Sequence, residues 1–139
     1  MKAVFTEAFY HQLRNDAELV SMLATYKGLP AIFTVDPVPG DAVLPYIVTA
    51  GSVADTSWDT TYSEGRIIVR DSRCYTAATG SMIAVENMAE RVRHLFHRRR
   101  IPIDGYDNVI TKCTGPIEGP EEDDAYGMIV TVEMHLFRL

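Results

Sequence analysis

Cysteine is nearly missing from these 139 residues, and the two present, Cys74 and Cys113, stand far apart with no CxxC beside either. That spacing excludes a zinc knuckle and a disulfide framework, and it fits two buried thiols in a reducing compartment. Long apolar runs are missing too. The opening MKAVFTEAFYHQL meets Glu7 after three consecutive apolar residues, so no secretory leader is expected, and no later run approaches the roughly 20 residues of a membrane-spanning helix. A chain made and used in a cytoplasm, with no membrane partner, is the expectation.

Catalytic signatures are absent as well. There is no GxSxG, no SxxK and no cysteine beside a plausible histidine, so no nucleophile has the base and orienting group it needs. The glycines at 28, 40, 51, 65, 80, 105, 115, 119 and 127 are scattered over turns and strand ends, with no GxGxxG or GxxxxGK cradle for phosphates. His94 and His97, three apart on a helix, present two imidazoles to a metal only if His11 or a distant carboxylate joins them; the polar face of an amphipathic helix is the simpler reading. His135 reads as an interface or core histidine. The run Glu121, Glu122, Asp123, Asp124 lacks the spaced ligands and central glycine of an EF-hand loop. Neither an enzyme nor a cofactor is expected.

What is present is an ordinary globular composition, 47% hydrophobic and 23% charged, at a length suited to one domain over residues 1–139. A formal net charge of −6 argues against general polyanion binding. The charge is uneven: five of the thirteen basic residues, Arg91, Arg93, Arg98, Arg99 and Arg100, fall within ten positions, whereas residues 101–127 carry seven acids against one lysine. Such sorting points to surfaces that meet other surfaces.

Periodicity supplies the elements. Phe5, Ala8, Phe9 and Leu13 make one helical face, and Asp16 is placed to cap a second short helix that ends near Lys27-Gly28. AIFTV and LPYIVTAG read as strands on either side of the turn DPVPGD. The polar stretch from Asp55 to Glu64 leads into GRIIVRDSRCY, a third strand with one wet face. From Ser81 to Arg99 the residues Met82, Val85, Met88, Ala89, Val92, Leu95 and Phe96 recur at three and four, making a long helix whose polar side sets Glu90 to meet Arg93 and His94. NVITKCTG and YGMIVTVEMHLF close the chain as two strands joined by the loop PIEGPEEDDA. The order predicts an α+β fold: a mixed, largely antiparallel sheet of about five strands, with the long helix and the short N-terminal helices on one face.

The unabsorbed residues lie at element ends. Arg98, Arg99 and Arg100 could meet the acids Glu121, Glu122, Asp123 and Asp124, within the chain or on a neighbouring copy, or else contact DNA or RNA. Trp58, alone among polar residues in SWDTTY, is either a partner anchor or a lid folded back on the sheet edge.

Taken as a set, FYHQLRNDAELVSML, the LPYIV strand, WDTTYSEGRIIV, MIAVENMAERVRHLF, IDGYDNVI and EEDDAYGMIVTVEMHL resemble the small tail-terminator or tail-completion proteins of long-tailed bacteriophages, over nearly the whole chain. The resemblance implies an α/β subunit of a ring, commonly of six copies, at the head-proximal end of the virion tail. Such a ring caps the finished tail tube and offers the surface to which the head attaches. Its implied partners are further copies of itself, the tube protein and the head–tail connector proteins, while DNA passes the channel without specific binding. A head–tail adaptor or minor tail protein is the alternative, followed by a nucleic-acid-binding module that uses the Arg-rich helix end. The resemblance carries no residue-level site, so the contact residues named above rest on charge and position alone.

Overall fold

Three long strands carry the architecture, and the reason is visible in their alternation. In the computed structural model, which describes residues 4–119 and 125–139, the elements in chain order are α1 (Val4–Arg14), α2 (Ala17–Ser21), β1 (Thr25–Tyr26), β2 (Leu29–Pro30), β3 (Ile32–Phe33), β4 (Tyr46–Val48), β5 (Ala54–Ser57), β6 (Gly65–Ala77), α3 (Ile83–Phe96), β7 (Tyr106–Glu118) and β8 (Ala125–Arg138). β8 runs antiparallel to β6 without a break, from Gly65 opposite Phe137 to Ala77 opposite Ala125. β7 lies on the other side of β8, and β4 and β5 both pair with β6, so the main sheet has the order β3-β4-β6-β8-β7 with β5 beside β6. Only the β3–β4 pair is parallel in that sheet. The fold is α+β, as the sequence predicts, with six strands in this sheet rather than about five.

Val130, Val132, Met134 and Leu136 put every second side chain of β8 under the helices, and all four are fully buried. They meet the stripe of α3, Val85, Met88, Ala89, Val92, Leu95 and Phe96, and the α1 residues Ala8, Phe9 and Leu13. Phe9 stacks on Phe96 with ring centroids 4.7 Å apart, locking α1 to α3. The Gln12 amide reaches the Leu95 carbonyl at 2.6 Å and satisfies one of the acceptors that a helix leaves open at its C-terminus. A smaller aromatic cluster of Phe33, Tyr46 and Tyr75, with Ala31, Val48 and Ala125, covers the short strands.

Asp16 caps α2 as expected, its carboxylate accepting from the Leu19 amide at 2.9 Å. The helix stops at Ser21, earlier than Lys27-Gly28. Those two residues, at φ 50° and 81°, instead form the tight turn between β1 and β2, where positive φ at both central positions suits the twist of a hairpin. α3 also ends sooner than Arg99: His97 is already extended, at φ −65° and ψ 122°.

β7 is longer than NVITKCTG at both ends. Gly115, at φ 93°, and Pro116 sit where the register with β8 shifts, between Thr114 and Ile117. A bulge on an edge strand accommodates a proline that a central strand would reject, so part of the expected loop PIEGPEEDDA is strand as far as Glu118. β5 falls partly inside the expected polar lead-in; all four of its residues are exposed, so burial imposed no alternation on them. Among the described residues, no helix is long and apolar enough to cross a membrane.

Candidate functional site

The basic cluster on α3 divides into side chains spent inside the molecule and side chains left outside. Arg91 lies on the α1–α2 side, where its Nε and Nη2 donate to the two carboxylate oxygens of Asp16 at 2.8 and 2.7 Å and its Nη1 lies 3.1 Å from Glu18. The two-pronged bond to Arg91 is the main reason that the Asp16 carboxyl is held below its usual pKa.

Arg93 turns the opposite way, toward β7. Its Nη1 donates to the carbonyls of Cys113, at 3.1 Å, and Gly115, at 2.8 Å. Beside it, the Cys113 amide donates to His97 Nδ1 at 3.0 Å and the Arg98 amide donates to the Thr111 carbonyl at 2.8 Å. The carbonyls of Thr111, Cys113 and Gly115 and the amide of Cys113, on the outward side of β7, are therefore covered by the end of α3. An edge strand with open amides and carbonyls invites another strand to pair with it; here that edge is occupied. The expected meeting of Glu90 with Arg93 and His94 gives way to these longer-range bonds, and Glu90 stands exposed with no ion pair among the described residues.

Of the arginine triplet, Arg99 folds back on α3, donating from Nε to the His94 carbonyl at 3.2 Å and lying with Nη2 3.0 Å from His94 Nε2. Arg98 and Arg100 are exposed, and their guanidinium groups make no hydrogen bond or ion pair among the described residues. The acids named with them, Glu121, Glu122, Asp123 and Asp124, lie outside the described residues. His94 and His97 are engaged with Arg99 and Cys113, and no group of three or more metal-ligating side chains forms among the described residues.

Trp58 lies against the sheet end. Its indole Nε1 donates to the Leu136 carbonyl at 2.9 Å, its ring stacks on Phe137 at 4.9 Å and meets His135 edge-on, and it fills the space beside Gly65 where a side chain would otherwise stand. Both cysteines are buried free thiols. Burial pushes Cys74 up to about 12 and Cys113 up to about 11, so each stays protonated at neutral pH.

The face of the sheet away from the helices is a mosaic. Rows across β6, β8 and β7 read Ile67, His135, Ile110, then Val69, Glu133, Lys112, then Asp71, Thr131, Thr114. Within it Thr131 donates to Asp71 at 2.8 Å, and His135 Nε2 lies 2.9 Å from Glu133. The third strand does have one wet face, but it is the one carrying Ile67 and Val69. The opposite face takes Arg70 under the helices, leaving it 2% exposed. Two charges flanking Ile68 gave no sequence signal of which arginine would be buried.

This arrangement offers contact surfaces: a mixed sheet face, a blocked edge and, at the end of α3, the guanidinium groups of Arg98 and Arg100, unpaired among the described residues. No protein-family model and no curated protein matches the chain. Its fold is that of a chain in a solved structure described as the virion of a native gene transfer agent particle, with a TM-score of 0.76 at 16% identity, covering 99% of this chain and 99% of that one.

Proposed function

We propose that this chain is a structural virion protein of a phage-like particle, without catalytic activity, that assembles into a ring closing the finished tail tube and presenting the surface for head attachment. The observation that carries the reading is the end-to-end likeness to a chain of a gene transfer agent virion, with 99% of both chains covered. The sequence resemblance to tail terminators supplies the finer role.

Ring closure needs a heterologous contact, one surface of a subunit meeting a different surface of the next. The chain has such unlike surfaces in the mosaic sheet face and the α3 end. The blocked β7 edge favours side-chain docking over strand addition along Thr111–Gly115, because extending the sheet there would first break the bonds from Arg93, His97 and Arg98. With Arg91 and Arg93 engaged within the chain, the α3 end presents Arg98, Arg99 and Arg100 as exposed cations, Arg98 and Arg100 without a partner among the described residues. That is a small footprint for nucleic acid in a chain of net charge −6.

Sedimentation velocity and negative-stain microscopy of the purified protein test the ring, for which six copies are expected. Deleting the gene tests the role. Tails of unregulated length identify a terminator, tails of normal length that fail to join heads identify an adaptor, and a monomer that shifts on duplex DNA at moderate salt overturns the assembly reading.

A further inference from the structure

A cavity of about 660 Å³ opens between the start of α1, β6 and the turn before β7, and Arg66, Arg70 and Arg138 are all among its walls. Two of these cations are already compensated: Arg66 pairs with Asp55 and also donates to the Tyr106 hydroxyl at 2.8 Å, and Arg138 lies 3.2 Å from Glu64. Arg70 is not. It donates to the Thr6 hydroxyl at 3.1 Å and the Thr49 carbonyl at 3.2 Å and lies over the Phe9 ring at 5.1 Å, but it makes no salt bridge, and its Nε has no partner among the described residues. Burial alone pulls its pKa down, with no anion acting against that. Two further buried hydroxyls near Arg70, though not in the cavity wall, have no partner among the described residues: Thr49 Oγ1, whose own carbonyl takes the Arg70 bond, and Ser72 Oγ, two residues along the same face of β6.

A buried, uncompensated guanidinium is costly, and the cost is relieved when an anion reaches it. We propose that this cavity is a carboxylate-binding site in which Arg70 supplies the charge. Its chemistry fits a carboxylate on an apolar stem: Phe5 and Tyr106 are among the walls and the Thr6 hydroxyl lies beside the guanidinium. The charge count favours a monoanion over a phosphate dianion, because among the described residues Arg70 is the one lining arginine without an acidic partner, and the exposed Asp104 in the wall would repel a second negative charge. The carboxylate is either free or the side chain of an adjoining subunit, and the second source rests on the ring reading.

The test is the melting temperature in sodium acetate against sodium chloride at matched ionic strength. The wild-type protein gains a saturable rise of a few degrees in acetate, as ligand linkage to the folded state requires. Arg70→Met, which removes the charge and keeps an apolar side chain of similar reach, melts at least as high in chloride and shows no acetate response. Should that variant fail to fold, the Arg70 Nε–H resonance of the wild type, assigned through Arg70→Lys, must still shift on titration with acetate. No acetate response in the wild type, an equal response in Arg70→Met, or a response to phosphate alone overturns the proposal. Sedimentation in the two salts then identifies the source: acetate dissociates an oligomer held by a neighbour's carboxylate and leaves one intact if the ligand is free. A protein that responds to acetate yet never oligomerises keeps the site and loses the ring; an oligomer without an acetate response does the reverse.

Discussion

Arg91 grips both carboxylate oxygens of Asp16 across 75 positions of sequence, and the same carboxylate caps α2 through the Leu19 amide. One side chain thereby fixes the α1–α2 corner against α3. Because the folded-state pKa of Asp16 lies below its ordinary value, this stabilisation is complete above the usual carboxylate range and is lost as pH falls through the depressed folded value. Between pH 5 and about pH 2 the melting temperature of the wild type should therefore fall more steeply than that of Asp16→Asn, which keeps a cap but has no charge to lose. At neutral pH, Asp16→Ala should cost about 1–2 kcal/mol from the cap alone, read by urea unfolding. Parallel acid profiles for wild type and Asp16→Asn would show that the pair contributes nothing to stability.

Gly65 gives a sharper test of the sheet end. A Cβ at this position would overlap the Trp58 indole and sit 2.7 Å from the Trp58 carbonyl oxygen. Gly65→Ala should expel the ring from its place on Phe137 and break its bond to Leu136. Since Trp58 is the one tryptophan of the chain, its emission reports the event directly: a red shift is expected, with a loss of stability on the order of 2–3 kcal/mol. An unchanged emission maximum would contradict the packing.

The cover over β7 predicts a change in association rather than only in stability. Arg93→Met leaves the carbonyls of Cys113 and Gly115 without their guanidinium donor, which should cost about 1–3 kcal/mol and expose part of an edge strand. Light scattering on dilution should show irregular aggregates that the wild type does not form. A variant that is destabilised but equally well behaved in solution would mean that the edge is protected by something other than Arg93.

Elements whose burial is periodic were legible in the sequence: the α3 stripe, the alternation of β8 and the apolar face of α1 all fall where spacing placed them. What spacing could not convey was anything decided by a distant partner. β5 has four exposed residues and is a strand only because β6 lies beside it. Pro116 looks like loop until the bulge against β8 gives it a place. The α3 cluster read as a single basic patch, yet Arg91 answers to Asp16 and Arg93 to carbonyls some 20 residues on, so local charge overstated what reaches the surface. Arg70 shows the opposite failure: a charged residue in an alternating strand reads as solvent-facing, and the helices over it cannot be inferred from β6 alone.

Arg99 turns back onto His94 but stays exposed, and Arg98 and Arg100 are the guanidinium groups at the end of α3 with no partner among the described residues. If this end meets an acidic surface of the next subunit, the two side chains act at the rim of an interface, where charge sets register and encounter rate more than affinity. Arg98→Glu combined with Arg100→Glu should then leave the melting temperature of the subunit within about 1 °C, because neither guanidinium has a partner to lose among the described residues. Assembly should move to about tenfold higher protein concentration at low salt, about 1.4 kcal/mol, and converge with the wild type as salt rises. Reversing Arg99 alone should instead lower the melting temperature slightly and leave assembly where it was, since that side chain is already committed to its own helix. Sedimentation velocity across a salt series separates the two outcomes, and a double reversal with wild-type assembly at every ionic strength would remove the α3 end from the contact.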